Sequence, residues 1–257
     1  MSVNSYLQSL GSSLVLNSSE KLSITKSIDT IKSRLTSYFG DEVIDKIVFG
    51  SYTRETILPR KVDEKSDIDL MVVFKNPYNY KPQTFLNRLK SFAETKYSRS
   101  EIYQSSPTIV LELNHIKFEL VPAYISYGMY CIPKNSSEWM YTNPNSFNEN
   151  LIRCNKNNLY KIKPVIRLLK YWNIENNFRQ LSSFELESKI ADEMIYSYIS
   201  CTSYTDYLKE ALSKLRTYYN YQYIDKAIEK IDESLDDEKN NYPYTALNKI
   251  KEIFPEV

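Results

Sequence analysis

Two aspartates one residue apart, in the run Ser66-Asp67-Ile68-Asp69-Leu70-Met71-Val72-Val73-Phe74, are the residues best suited to chemistry in this chain. In an extended segment alternate side chains leave opposite faces, so Asp67 and Asp69 share one face while Ile68 and Leu70 can bury on the other. Like charges that close repel. A hard divalent cation such as Mg²⁺ turns the repulsion into a ligand set, with substrate phosphates often completing it. A third acid on a neighbouring strand, Glu119, would suit a two-metal arrangement. Gly50-Ser51, which closes an earlier apolar segment, supplies a residue that tolerates close backbone approach and a hydroxyl that can donate to phosphate. Each feature has a plain alternative. The aspartates could be solvated edge residues, and Gly-Ser an ordinary turn.

These residues need elements to hold them. Ile47 to Phe49 reads as a short strand ending at Gly50, and Ile68 to Phe74 as a second. Thr108–Leu113 and Ile116–Ala123 read as two extended runs joined by a turn at Asn114-His115. In the second run Ile116, Phe118 and Leu120 alternate with Lys117, Glu119 and Val121, which puts Glu119 opposite the apolar trio. Helical spacing of Ile24, Ile28, Ile31 and Leu35 predicts a helix over 18–39 stopped at Gly40. Phe85, Leu89 and Phe92 predict another over 83–95, with Pro82 in its first turn.

After about residue 145 helical spacing dominates. Ser146 with Glu149 has the form of a capping box. Apolar stripes follow at Ile162, Val165, Ile166 and Leu169; at Leu186, Ile190 and Met194; and at Leu208, Ala211 and Leu215. Two more run through Ile224, Ala227, Ile228 and Ile231, and through Leu247, Ile250 and Ile253. The polar run 235–241 reads as a loop between the last two helices. The expected fold class is therefore α+β, with residues 1–145 forming a mixed sheet flanked by helices and 146–257 a C-terminal helical lobe.

Basic residues in the second half include Lys163, Arg167 and Lys170, which share one helix face at i, i+4 and i+7. A solvated face is the ordinary account of Lys163. Tyr171 and Trp172 point to a partly buried setting for Lys170. Ser182 or Ser183 suits an N-cap, with Glu185 three residues after Ser182. Arg54 and Arg60 lie in the loop after Gly-Ser, where they could meet phosphate, acceptor or only water.

Bulk properties narrow the classes. The composition, 42% hydrophobic over 257 residues, is that of a globular chain large enough for two cores. No apolar stretch reaches the length of a membrane helix, and the N-terminal MSVNSYLQSL lacks the pattern of a secretory signal, so the expected location is the cytoplasm with no membrane partner. Cys131, Cys154 and Cys201 are far apart and form no CxxC pair, against a disulfide framework or a cysteine zinc site. His115 is the one histidine, so no His cluster can bind metal and chemistry rests on carboxylates. A net charge of +1 argues against a dedicated duplex-DNA binder. The 23 tyrosines suit half-buried packing better than a base-stacking platform.

Taken together, Gly50-Ser51, Asp67-Ile68-Asp69 and the segment FELVPAY at 118–124 resemble the nucleotidyltransferase superfamily of the DNA polymerase β type. The long gap from Ser51 to Asp67 is similar to the branch holding oligoadenylate synthase, cyclic GMP-AMP synthase and the bacterial cGAS/DncV-like nucleotidyltransferases (CD-NTases). PVIRLLKYWN at 164–173 resembles that branch's helix with a phosphate-contacting lysine, matched by Lys170. LSSFELESKI at 181–190 resembles its helix start whose serine contacts the triphosphate, matched by Ser183. Phe184 and Glu185 replace the usual tyrosine and histidine, and the zinc-binding insertion of the animal enzyme has no counterpart.

The resemblance implies a polymerase β-like core over 1–145, its N-terminal helix packing across both lobes, and a helical domain over 146–257 completing a nucleotide cleft. It implies two Mg²⁺ (or Mn²⁺) ions on Asp67, Asp69 and Glu119, the last a longer side chain where the family often has aspartate. Gly50, Ser51, Lys170, Ser183 and Arg54 would bind the nucleotide. The implied reaction joins ribonucleoside triphosphates into a cyclic di- or trinucleotide second messenger, in antiphage (CBASS) signalling, with a regulatory partner protein or an effector reading the product. Two rivals stand beside it. One is a nucleotidyltransferase acting on a protein, a small molecule or an RNA end. The other is a nucleotide-binding scaffold without catalysis.

Overall fold

The computed structural model describes residues 1–144, 146–191 and 198–257. The chain forms two compact units and passes between them at residues 15/16, 54/55, 64/65 and 146/147. One unit, Leu16–Arg54 with Lys65–Ser146, holds the sheet; the other, Met1–Val15, Glu55–Glu64 and Phe147–Val257, is helical.

In the sheet unit, α2 (Ser18–Phe39) begins with a full capping box, Asn17 and Glu20 exchanging side chain–backbone bonds of 2.9 and 2.8 Å. Ile24, Ile28, Ile31 and Leu35 are its buried stripe, and Gly40 ends it at φ +55. A 3₁₀ turn, Gly40–Glu42, leads into β1 (Val43–Phe49), which starts four residues before the sequence-predicted strand. Then come the one-turn helix α3 (Gly50–Thr53), β2 (Asp67–Phe74) and α4 (Pro82–Lys96). The remaining strands are β3 (Ile102–Ser105), β4 (Thr108–Glu112), β5 (Lys117–Ser126), β6 (Met129–Pro133) and β7 (Trp139–Thr142). Their order is β1-β2-β5-β4-β3, with β6 on β5 and β7 on β6. Among the described residues only β2 and β5 pair in parallel; the other pairings are antiparallel, including the hairpin whose turn closes through Leu113 N–H to Ile116 O at 3.0 Å.

Period two sorts the two central strands. Ile68, Leu70, Val72, Phe74, Phe118 and Leu120 are buried on one face, where Phe74 meets Phe39 of α2 and Phe85 of α4 at ring distances of 5.1 and 4.9 Å. The other face carries a smaller apolar cluster of Met71, Val73 and Ala123 and, at the start of both strands, the acids.

The helical unit contains α1 (Val3–Ser13), α5 (Ser146–Asn157), α6 (Ile162–Glu175), α7 (Ser183–Ala191), α8 (Tyr204–Leu215), α9 (Tyr221–Lys239) and α10 (Pro243–Ile253). Its core joins Leu7, Leu10, Ile166, Leu169, Trp172, Leu186, Leu208 and Ile250. Two expectations are corrected. Residues 235–239 continue α9 instead of forming a loop, and Lys249 on α10 pairs with Asp237 of this segment at 2.8 Å. Ser146 lies within α5, its hydroxyl donating to Asn143 O at 3.1 Å rather than capping. Met194, on the stripe with Leu186 and Ile190, falls outside the described residues.

Candidate active site

Parallel pairing of β2 with β5 aligns Asp67 with Lys117 and Asp69 with Glu119. Residues paired across neighbouring strands share a face, so all four side chains leave the same side at the same strand ends. Acids directly opposite one another repel. Lys117 offsets that: its Nζ stands 3.2 Å from Asp67 Oδ2 and 3.3 Å from Glu119 Oε1. Burial alone would lower the Lys117 pKa; attraction and hydrogen bonding from Asp67 and Glu119 outweigh it and hold it raised. The cluster is open to water to a limited degree, the side chains of Lys117, Asp67 and Glu119 being 13%, 28% and 24% exposed. Thr108 on β4 borders it, its hydroxyl 3.5 Å from Glu119 Oε2 while it donates to Ser105 O at 2.9 Å.

Gly50 closes the other side. Antiparallel pairing puts Phe49 opposite Asp69, so the chain turns into α3 directly against that aspartate. Gly50 adopts φ +77, and a Cβ there would stand 1.7 Å from Asp69 Oδ2. Glycine is therefore obligatory on two counts, the left-handed backbone and the space. Ser51 follows, half-buried, in the first turn of α3, and Arg54 is buried at its end, its N–H donating to Gly50 O at 3.3 Å. Gly50, Ser51, Arg54, Asp67, Asp69 and Glu119 thus lie in one unit, gathered around the ends of β1, β2 and β5.

Among the described residues no group of three or more His, Cys, Asp or Glu side chains converges at metal-ligating spacing. The donor chemistry nevertheless suits a hard cation: Asp67 and Glu119 already turn carboxylate oxygens onto one positive charge, the Lys117 ammonium, and Asp69 stands in register beside them.

The remaining expected residues belong to the helical unit. Ser183 is exposed at the start of α7, and Ser182 is the cap, accepting from Glu185 N–H at 3.2 Å. Lys170 is buried, and its ammonium is taken by the fully buried Glu187 of α7 and by Thr56 O at 3.1 Å. Thr56 Oγ1 donates to the same Glu187 oxygen at 2.8 Å. Where a phosphate-contacting lysine was expected, then, the structure has an ion pair inside the core. In the sequence Glu187 is one more acid on an amphipathic helix, and its one local signal is its place among Leu186, Ile190 and Ala191.

The stretch Glu55–Glu64, expected as an open loop, packs with the helices. Ile57 and Leu58 are buried, Glu55 O accepts from Arg167 at 2.9 Å, Glu55 pairs with Lys163 at 2.8 Å, and Asp63 with Arg179 at 2.8 Å. Arg60 on this strap is half-buried. Burial pushes the Arg167 guanidinium below its ordinary value, with Tyr204 and Glu55 opposing. Among the described residues no helix is long and apolar enough to cross a membrane.

Known proteins give this geometry a context. A cyclic AMP-AMP-AMP synthase of an Acinetobacter species is 27% identical over 166 residues, covering 62% of this chain and 48% of that protein. A probable cyclic nucleotide synthase of Bacillus cereus is 28% identical over 236 residues, covering 75% and 67%. The chain thus spans about half the length of the first and two thirds of the second. The CdnC structure from Escherichia coli MS115-1 with ATP superimposes at a TM-score of 0.74, with 13% identity and 98% of both chains covered. CdnC in a CdnC:HORMA-deltaN complex gives the same score. The mixed sheet with flanking helices is therefore the CD-NTase form of the polymerase β-like fold, as the motifs implied. A family model matches residues 1–155, the span that contains Gly50, both aspartates and Glu119, and with that match the chain belongs to the Second Messenger Oligonucleotide or Dinucleotide Synthetase domain family.

Proposed function

We propose that the protein is a metal-dependent nucleotidyltransferase that joins ribonucleoside triphosphates into a cyclic di- or trinucleotide second messenger. The observation that carries this is the register of β2 and β5, which sets Asp69 beside Glu119 and Asp67 two residues away, with Gly50 against Asp69. The named activities of the Acinetobacter and Bacillus relatives, and the ATP in the CdnC structure, support the reaction class and the substrate class.

Asp67, Asp69 and Glu119 would hold two Mg²⁺ or Mn²⁺ ions, which supply activation of an acceptor hydroxyl and stabilisation of the leaving pyrophosphate. The protein's own share is positioning. Gly50 keeps the backbone on Asp69 and fixes its carboxylate. The Ser51 and Ser183 hydroxyls are the proposed donors to the triphosphate, and Arg54 sets the end of the Gly-Ser turn. Lys170 acts in this reading as a frame residue, joining α6 to α7 and to the strap through Glu187 and Thr56. The enzyme would work in a bacterial cytoplasm, in antiphage signalling, and the CdnC:HORMA-deltaN complex supports a partner protein as its regulator.

The test is to incubate the full chain with the four ribonucleoside triphosphates and Mg²⁺ or Mn²⁺, treat with phosphatase, and resolve the products. A phosphatase-resistant nucleotide that disappears in Asp67→Ala/Asp69→Ala supports the proposal. A labelled protein, RNA end or small molecule in place of a free cyclic product overturns it in favour of another acceptor. Calorimetric binding of nucleotide without turnover, unchanged by a supplied partner protein, marks a scaffold.

A further inference from the structure

The acid cluster contains its own positive charge, and that charge has a consequence for metal loading. Lys117 begins β5 in register with Asp67, and its ammonium bridges Asp67 Oδ2 and Glu119 Oε1 at 3.2 and 3.3 Å. Those are two of the three carboxylates that would ligate metal, and they share the lysine's face of the sheet. An ammonium donates along three N–H bonds and is compact, so it can satisfy both acids at once. The carboxylates are drawn onto that nitrogen, and no triad of acids converges at metal-ligating spacing among the described residues. The Lys117 side chain is 13% exposed, less than either acid, so water and ions reach the pair from the carboxylate side.

Resting on the metal-site reading above, we infer that Lys117 is a built-in counter-cation, which closes Asp67 and Glu119 around its ammonium until a divalent ion displaces it. The displacement is an exchange of partners with no covalent step. An ion ligated by Asp67 and Glu119 needs the oxygens that now accept from Lys117, and two positive charges that close repel. Lys117 therefore competes with metal. It keeps the metal-free acids from splaying apart, and sets the divalent-ion concentration at which the site assembles.

The sign of the effect separates this from a purely structural lysine. Free Mn²⁺ is counted by electron paramagnetic resonance in nucleotide-free titrations of the full chain as wild type, K117M, K117Q, K117R and D67N/D69N, with circular dichroism to verify folding. K117M keeps the aliphatic stem, and K117Q keeps polar contact without charge. Both should bind Mn²⁺ more tightly than wild type, on the order of tenfold, because a competing unit charge is gone. K117R should stay near wild type. In EDTA, K117M should melt below wild type, and saturating Mn²⁺ should narrow the gap. If the folded K117M and K117Q proteins bind Mn²⁺ equally well or more weakly than wild type, Lys117 orients the acids for metal and the inference is wrong. Should K117M not fold, K117Q alone decides. Failure of the underlying reading looks different: wild type, both neutral variants and D67N/D69N would then bind Mn²⁺ indistinguishably, and the inference would fall with the site.

Discussion

Each unit of this protein holds a lysine against carboxylate, and the two arrangements differ in burial. In the helical unit Lys170 faces Glu187 with side chains 7% and 0% exposed, and Thr56 bonds to both partners. In the sheet unit Lys117 bridges Asp67 and Glu119, whose side chains are 28% and 24% exposed. A buried pair cannot exchange its partner for water without a large desolvation cost, so it behaves as part of the frame. A partly exposed cluster of three acids and one ammonium can trade its cation. The same residue types thus carry a structural tie in one unit and an exchangeable site in the other.

The sharpest test of that division pairs a substitution from each side. D67N/D69N removes two charges from the exchangeable cluster and should lower nucleotide synthesis by on the order of 10³-fold or more, since losing two of the three proposed ligands removes the ions that would activate the acceptor and steady the leaving group. Its melting temperature should stay close to wild type by differential scanning calorimetry. K170A should do the opposite. It strands the Glu187 carboxylate at full burial and should cost about 3–5 kcal/mol in urea denaturation. Replacing both partners, as K170M/E187M, removes the stranded charge and should recover most of the loss, leaving about 1–3 kcal/mol for the unsatisfied Thr56 groups. A fully stable K170A would break the comparison and return Lys170 to the role of a free phosphate contact.

Part of this contrast could be read from the chain. Period-two alternation found β2 and β5, and the pairing of Asp67 with Asp69 on one face followed from it. The helix Ser18–Phe39 was legible to the residue because its stripe and terminal glycine agree. The cluster's fourth member was also visible: Lys117 alternates in phase with Glu119, although its partner across the sheet, Asp67, lies 50 residues away, too far for any local pattern to pair them. Lys170 and Glu187 are separated by 17 residues and sit on different helices, so only tertiary packing reveals that they meet. The same holds for Glu55–Glu64, whose polar composition reads as a loop while Ile57 and Leu58 fasten it to the helices. Strands β3, β6 and β7 were missed because they are short and lie partly exposed away from the central pair. Helix α1 carries Val3, Tyr6, Leu7 and Leu10 at helical spacing, a local signal that the sequence does hold.

A smaller effect tests whether the exchangeable cluster needs its fixed geometry. At Gly50 a methyl group would enter the space of Asp69 Oδ2, 1.7 Å away, from a backbone at φ +77. G50A should cost about 1–3 kcal/mol, the range of a strained left-handed residue. The activity loss should be on the order of 10²-fold, as expected when a reacting group shifts by about an ångström. Urea denaturation and initial rates measure the two separately. Retained activity would mean that Asp69 tolerates displacement, and the cluster would then be less like a metal site than its register suggests.

The smallest expected effect concerns a third lysine–carboxylate pair, which is neither buried nor part of the acid cluster. Lys163 Nζ meets Glu55 Oε2 at 2.8 Å, but the Glu55 side chain is 72% exposed. Solvent screens such a contact, so K163A should cost no more than about 1 kcal/mol. The backbone of Glu55 tells another story. It sits at φ +59 as the first residue of the strap, and its carbonyl accepts from the buried Arg167 at 2.9 Å. That bond does not depend on the side-chain pair. E55G should therefore be tolerated, losing a screened ion pair and relieving a strained conformation of about 1 kcal/mol. If E55G and K163A both destabilise by as much as K170A in the same urea titration, the strap is held by its surface charges, and burial is not what separates frame from site in this fold.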